Sequence, residues 1–572
     1  MQTIKHETQT PVLVVGAGPA GLIAALQLAT NGTPCILAER NLETTRWPKM
    51  DITNCRSMEI LRRLGIADGL RDVGVPSHWS FNVLFSTGLG GTETMPKWDL
   101  PSPDGWRQRI KETNDGSMPR EPYQRCSQAI FEAWLKPRIQ ANPLIESHFG
   151  WKLDTLTEYN DYVESEIIDQ DGCRHFIKSK YVIGCDGAGS RVRRAVGIKL
   201  KGDPAPGAMW LIHFKSRNLE RLRSQGQFWH IFFTTGHVLI AQNEKDTWTM
   251  HTPIEIGVSV EDLDPKEAIY KGLGAEHAPY QINIEEILVT SVWRPTICLA
   301  EKYISPGGRV FLAGDSAHQN IPTGGYGMNT AVGDSFDIGW KLSAVLKEYA
   351  GPSLLTSYEE ERQPVGARNI ERSGVHMNIH ATYVQWCRNA PGVITSASPT
   401  GQQLRQSLAQ LVHTHDGENK DHGIELGYRY NSAVIAFTEI DTHEPMWNER
   451  EFVPSTWPGS RAPHVFLHDG ETSIFDLFGT GSEFTLVDFT PGARFIKIFD
   501  LILRRRGVPC KLLNLVDENH AREIWERDAV LVRPDDHVAW RSPVSITAAG
   551  DVDPDRILDV VLGLGFHEAN KV

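Results

Sequence analysis

The residues best suited to hold a nucleotide come first in the chain. Gly16-Ala17-Gly18-Pro19-Ala20-Gly21 follows the valine-rich run Pro11 to Val15 and opens a helical stretch, Leu22 to Asn31. Gly16 permits a tight turn and Gly18 lets backbone approach a pyrophosphate. Gly21 lets the helix pack against the strand, with the helix N-terminus aimed at the phosphates. A second apolar run, Pro34 to Ala38, ends in Glu39-Arg40. A carboxylate about 20 residues beyond the turn suits a ribose hydroxyl, and favours an unphosphorylated ribose. The plain alternative for Glu39 is a solvated acid at a strand end. The pattern of strand, turn, helix and acid predicts a bound dinucleotide, either FAD or NAD.

Two further constellations add to it. Tyr181 to Gly184 is an apolar run that leads through Cys185 into Asp186-Gly187-Ala188-Gly189-Ser190-Arg191 and a short basic helix, Val192 to Val196. Gly308 to Ala313 is another strand, ending in Gly314-Asp315, where the Asp315 carboxylate can accept a ribitol or ribose hydroxyl. Directly after it, the glycine-rich turn containing Gly324, Gly325, Gly327, Met328 and Asn329 leads into a predicted helix over Ala331 to Leu346. The backbone amides at that N-terminus suit a phosphate or the pyrimidine end of a flavin.

With these motifs in order, the sequence resembles the single-component FAD aromatic hydroxylases, the group A flavoprotein monooxygenases that include para-hydroxybenzoate hydroxylase and phenol hydroxylase. Supporting segments are Trp340-Lys341-Leu342 and Tyr358-Glu359-Glu360-Glu361-Arg362-Gln363-Pro364, so the likeness runs from about Pro11 to Arg368. It implies that FAD stays bound while NADPH or NADH visits as a transient co-substrate. The cofactor-binding residues it implies are Gly16, Gly18, Gly21, Glu39, Arg40, Gln128, Asp186, Asp315, Gly325, Gly327, Met328 and Asn329. Gln128 is carried over from the segment Arg125-Cys126-Ser127-Gln128, where Ser127 also suits a helix cap. Many relatives have an Arg two residues before the position of Asp51. This chain has Lys49 there, which keeps the charge but loses the planar fork.

The phenol hydroxylase branch also has an Asp a few residues before a Cys-Arg pair, which here is Asp51 before Cys55-Arg56. The implied role of Asp51 is catalytic: it takes the phenolic proton. A phenolate is the better target for the electrophilic flavin C4a-hydroperoxide expected in this family. Beside an apolar pocket such a carboxylate should have a raised pKa. The alternative for Asp51 is a simple cap on the helix that follows. The branch further implies a pocket Tyr, but Lys201 to Val260 contains none, and Trp229 and His230 are the candidate substrate-binding residues there. The implied reaction is NAD(P)H-driven insertion of one oxygen atom from O2 into a phenolic or related aromatic ring. Baeyer-Villiger insertion and decarboxylative hydroxylation are variants that the motifs leave open, and a flavin-binding scaffold with weak NAD(P)H oxidase activity is the reading from another class.

Positioning these groups takes more than one domain, as 572 residues allow. The predicted fold is α/β, with a Rossmann-like FAD-binding domain of the para-hydroxybenzoate hydroxylase kind, a mixed β-sheet substrate domain and a thioredoxin-like C-terminal domain. The expected segments are 1–200 and 300–400 for FAD, 201–299 for substrate, 401–460 helical or linking, and 461–572 C-terminal. In that last unit the strand-like runs Phe484 to Phe489, Cys510 to Leu515 and Ala529 to Asp535 alternate with helical patterns. Its lone Cys510 offers no redox pair, leaving packing or a homodimer contact.

Fifty-eight basic against 71 acidic residues give a net charge of -13, which argues against nucleic acid as a partner. The eight cysteines show no metal-ligand spacing, so no metal is expected and the thiols should be reduced. No signal peptide and no membrane span is evident, which with reduced thiols predicts a cytoplasmic protein.

Overall fold

The computed structural model describes residues 6–205, 207–437, 443–544 and 552–565. The valine-rich start of the chain forms the strand His6–Val15 at the centre of a seven-stranded sheet. Val12, Leu13 and Val14 have no solvent exposure, which is why this strand is apolar on both faces rather than alternating. It pairs in parallel with Cys35–Glu39 on one side and Arg174–Gly184 on the other. Val310–Leu312 adds in parallel to Arg174–Gly184. The antiparallel strands Val163–Ile168 and Lys152–Glu158 continue the far side, and Ile145–Phe149 closes the near one. In this register Val15 lies opposite both Ala38 and Gly184, and Gly184 opposite Leu312. The chain therefore leaves toward Gly16, Glu39, Asp186 and Asp315 from one sheet edge, where ligands of parallel α/β sheets bind.

The helices Pro19–Thr30 and Tyr326–Leu346 pack on each other against this sheet. The second begins at Tyr326, five residues earlier than its sequence pattern suggests, so Gly327, Met328 and Asn329 form its first turn rather than a preceding loop. Glycine at the N-cap and again at the second helical position depresses helix propensity there, and burial of Tyr326 and Asn329 overrides it.

A second sheet of seven strands runs Glu286–Trp293, Ala208–Lys215, Thr247–Ile254, Val238–Ala241, His230–Phe233, Val83–Ser86, Lys97–Trp98. The last two strands come from well before residue 201, so the sheet draws on a wider span than 201–299. Along His230–Phe233, Ile231 and Phe233 enter the core between this sheet and the helix Pro265–Gly274, while Phe232 joins the aromatic cluster on the opposite face. That two-residue period puts His230 on the same face as Phe232.

The C-terminal unit is a four-stranded sheet ordered Cys510–Asn514, Phe484–Asp488, Ala529–Val532, Val538–Arg541, with the first pair parallel and the others antiparallel. The helices Arg494–Arg506 and Pro554–Val561 cover it. All eight cysteines are free. Among the described residues no helix is long and apolar enough to cross a membrane.

Candidate active site

At the first turn Gly16 has φ +100°, and a Cβ there would lie 2.4 Å from the Cys185 carbonyl oxygen. A Cβ on Gly21 would lie 1.7 Å from the Gly16 carbonyl oxygen, so the helix sits directly on the turn. Gly18 caps that helix, and a Cβ on it would meet nothing within 4 Å, which leaves room for a ligand against the backbone. Glu39 accepts the N–H of Ala17 at 2.7 Å through Oε2, and Asn41 donates to its Oε1. Arg40 beside it is exposed and lines a cleft of about 460 Å³ together with Asn41 and Lys152. Asp186 uses Oδ2 to accept the N–H groups of Arg191 and Val192 at 2.6 and 3.1 Å, while its buried Oδ1 has no partner among the described residues. Asp315 stands exposed on the turn Gly314–Ser316.

Gly325, at φ +65°, caps the helix Tyr326–Leu346, and a Cβ on it would press within 2.6 Å of the Ile52 side chain. Gly327 faces open space and Met328 is half-buried. Asn329 joins this helix to the Asp51 segment: its Nδ2 donates to Ile52 O at 3.2 Å and to Gly325 O at 2.6 Å, and its Oδ1 accepts the Asn54 N–H at 3.0 Å. Gln128 holds the same segment through its backbone, donating to Met50 O at 2.8 Å, while its side chain donates to Glu132. Ser127 caps the helix Gln128–Gln140. The residues present suit FAD: two helix N-termini with free space beside them, acids at three strand ends, and an orphaned carboxylate oxygen at Asp186.

Asp51, Trp229 and His230, singled out separately along the chain, come together. Asp51 Oδ2 accepts the Trp229 indole N–H at 2.6 Å and faces His230 Nε2 at 3.3 Å. Asp51 Oδ1 accepts no hydrogen bond from a described residue. The helix after Asp51 is capped by Asn54, whose side chain accepts the Ser57 N–H at 2.9 Å, so capping is not the task of Asp51. The short strand Ile52–Thr53 pairs with Gln124–Arg125 and fixes the segment from behind. The Arg125 guanidinium is 5.9 Å from the Trp229 ring and is itself held by Glu244 and the Ala241 carbonyl. Burial acts to raise the Asp51 pKa, as expected from the sequence. His230, Trp229 and Arg125 outweigh it, and the group ends below the usual carboxylate value, a correction to that expectation. His251 is pushed down to about 4 by burial, and the Trp293 indole donates to it at 3.3 Å.

Several residues of this region escape sequence reasoning. His380 Nε2 meets Glu418 at 2.7 Å and its Nδ1 meets the Tyr383 hydroxyl at 3.0 Å; its ring lies 4.1 Å from that of Phe232. The other Glu418 oxygen accepts the Gly324 N–H at 3.0 Å, linking the glycine turn to this aromatic wall. The only sequence signal was His376 and His380 at helical spacing. Asp334 explains the later motifs: it accepts from the Gly314 N–H at 3.1 Å and pairs with His318 and Arg362 at 2.9 Å each. In the same way Arg533 forks onto Glu361 at 2.7 and 2.8 Å, and Glu361 also takes Lys341 at 2.6 Å. Asp337, Glu361 and Asp535 converge closely enough for a cation, and Arg533 and Lys341 supply the positive charge.

Comparison with known proteins agrees with this arrangement. Residues 9–373 match the family model described as FAD binding domain, and residues 455–562 match aromatic-ring hydroxylase, C-terminal. The FAD-dependent monooxygenase apdD of Emericella nidulans is 45% identical, covering 98% of this chain and 92% of its own. The phenol 2-monooxygenase of a Pseudomonas species is 28% identical, covering 97% and 93% respectively. Among solved structures, the flavin-dependent monooxygenase PieE in complex with FAD and substrate superposes with a TM-score of 0.83 at 29% identity, over 97% of this chain and 98% of that one. The chain is thus a member of the FAD-dependent aromatic-ring monooxygenases, enzymes that bind FAD and draw on NAD(P)H.

Proposed function

We propose that this enzyme hydroxylates a phenolic or related aromatic substrate, taking one oxygen atom from O2 and electrons from NADPH or NADH. The observation that carries this reading is the cluster of buried Trp229 with half-buried Asp51 and His230 beside the glycine-rich helix start. In it a carboxylate is fixed through one oxygen and has the other free.

Gly16, Gly18, Gly21, Glu39, Arg40, Asp186 and Asp315 would hold the nucleotide and ribityl portions of FAD; Gln128, Gly325, Gly327, Met328 and Asn329 would hold its ring end. Bound FAD, reduced by NAD(P)H, supplies the oxygen-activating centre. The protein's part is to seat the ring and remove its hydroxyl proton, because a phenolate carries more electron density at its ortho and para carbons than a phenol. Trp229 fixes the direction of Asp51, and the hydrogen-bonded Asp51–His230 pair receives the substrate hydroxyl. Phe232 and Phe85, whose rings lie 5.9 Å apart, offer an apolar wall that excludes water.

Anaerobic stopped-flow mixing of the FAD-loaded enzyme with NADPH, with and without a phenol, tests the reading. Acceleration of flavin reduction by the phenol is the expected result, since coupling of substrate binding to reduction marks this class. A reduction rate indifferent to phenols, hydroxybenzoates and other aromatic ligands alike contradicts it.

A further inference from the structure

We propose that His230 is the group that takes the substrate's hydroxyl proton, at Nδ1, and that Asp51 is the positioning residue which holds the imidazole for that purpose. The proposal rests on the phenolic reading of the site given above and identifies the accepting atom within it.

The tautomer follows from the contacts. An ionised carboxylate only accepts, so the His230 nitrogen facing Asp51 Oδ2 at 3.3 Å carries the hydrogen. In the neutral ring this leaves the lone pair on Nδ1. That atom is buried and has no hydrogen-bond partner among the described residues, and a buried acceptor left unpaired costs free energy. His230 sits at the start of the strand His230–Phe233 and shares a face with Phe232, whose ring meets its own edge-on at 5.6 Å. The arrangement is that of a base whose far nitrogen is oriented by an acid.

Asp51 is the poorer acceptor of the two. A proton placed on it would weaken its bonds from His230 and the Trp229 indole and its attraction to Arg125, all of which favour the charged carboxylate. A proton placed on His230 creates a cation opposite that carboxylate instead. The other charged and titratable groups around the ring leave this balance intact. Arg125 is paired with Glu244, and His251 is kept neutral by burial. In the step itself the substrate O–H bond breaks and an N–H bond forms at Nδ1. The bonding pair stays on the substrate oxygen, giving a phenolate beside an imidazolium–carboxylate pair, and no oxidant or reductant is consumed.

The test uses FAD-loaded enzyme and 4-nitrophenol, whose phenol and phenolate absorb at different wavelengths. Bound probe is titrated by difference spectroscopy from about pH 5 to about pH 9, across the range where imidazoles change charge. His230→Gln keeps an N–H for Asp51 but has no basic nitrogen. We expect the phenolate-to-phenol ratio of bound probe near neutral pH to be about tenfold lower in His230→Gln than in the unmodified enzyme, a shift of about one pH unit, with FAD content unchanged. Ionisation in His230→Gln matching the unmodified enzyme overturns the assignment to His230 and leaves the phenolic reading standing. Failure of the unmodified enzyme to bind 4-nitrophenol overturns the phenolic reading itself. A measurement free of any variant is ¹⁵N NMR of histidine-labelled holoenzyme: probe binding should protonate one acceptor nitrogen, and unchanged signals from every histidine overturn the proposal.

Discussion

Asp51 keeps its charge in a buried setting because three neighbours compensate it, and its replacement shows what that charge does. Asp51→Asn should retain FAD, since Asp51 is not among the residues assigned to the cofactor, while turnover with a phenolic substrate falls by about 10²- to 10⁴-fold, the usual worth of proton transfer by a positioned group. Steady-state kinetics across pH check it, and unchanged turnover would remove Asp51 from the mechanism. Glu425 is the opposite case: burial pushes it up to about 8, with Asp421 and Glu59 adding repulsion. A carboxyl with a raised folded-state pKa weakens the fold progressively as pH climbs from its ordinary value toward about 8, because the unfolded chain ionises first. Glu425→Gln should therefore stabilise the enzyme by on the order of a few kcal/mol more at pH 8 than at pH 5, read from denaturant melts at both. Residue types were legible in the sequence; these two charge states were not. Asp51 could be named as a base, but the Trp229 N–H that lowers its pKa lies 178 residues away.

At the scale of elements, the glycine turn is defined by how closely helix and strand approach. A Cβ on Gly21 would overlap the Gly16 carbonyl, so Gly21→Ala must push the helix Pro19–Thr30 off the turn. Purified Gly21→Ala is expected to lose its yellow colour, with FAD per chain well below half; full flavin occupancy would contradict this role. The strand, turn and helix here were readable from local pattern, since strand burial and glycine spacing are properties of contiguous sequence. The start of the helix Tyr326–Leu346 was not. Its first turn is held by Asn329 bonding back to Ile52 and Asn54, and such long-range contacts override the weak helix propensity of the glycines. The second seven-stranded sheet was likewise only half visible, because Val83–Ser86 pairs in parallel with a strand nearly 150 residues later and no local signal announces that pairing.

Across the whole molecule, the C-terminal unit is anchored to the FAD-binding body by buried ions. Arg533 reaches Glu361 and Asp535, and Arg56 reaches Asp536 and Glu59, with Arg461 also on Glu59. Glu361 is held down by Arg533 and Lys341 although burial acts to raise it. Removing one partner from such a network strands the others, so Arg533→Ala should cost roughly 3–5 kcal/mol in chemical denaturation; a loss within error of zero would show the contact to be incidental. The three motif segments containing Lys341, Glu361 and Arg533 were each visible in the sequence, yet only the fold shows them to be one ionic cluster. The central claim, that this assembly oxygenates a phenolic ring, is tested most directly by aerobic NADPH consumption of the purified enzyme across phenols, hydroxybenzoates and cyclic ketones under ¹⁸O₂, with mass spectrometry of the products. The account predicts stimulation by a phenolic compound and a product that gains one labelled oxygen on its ring. Slow consumption unaffected by every compound, or labelled oxygen inserted only into ketones, would contradict it.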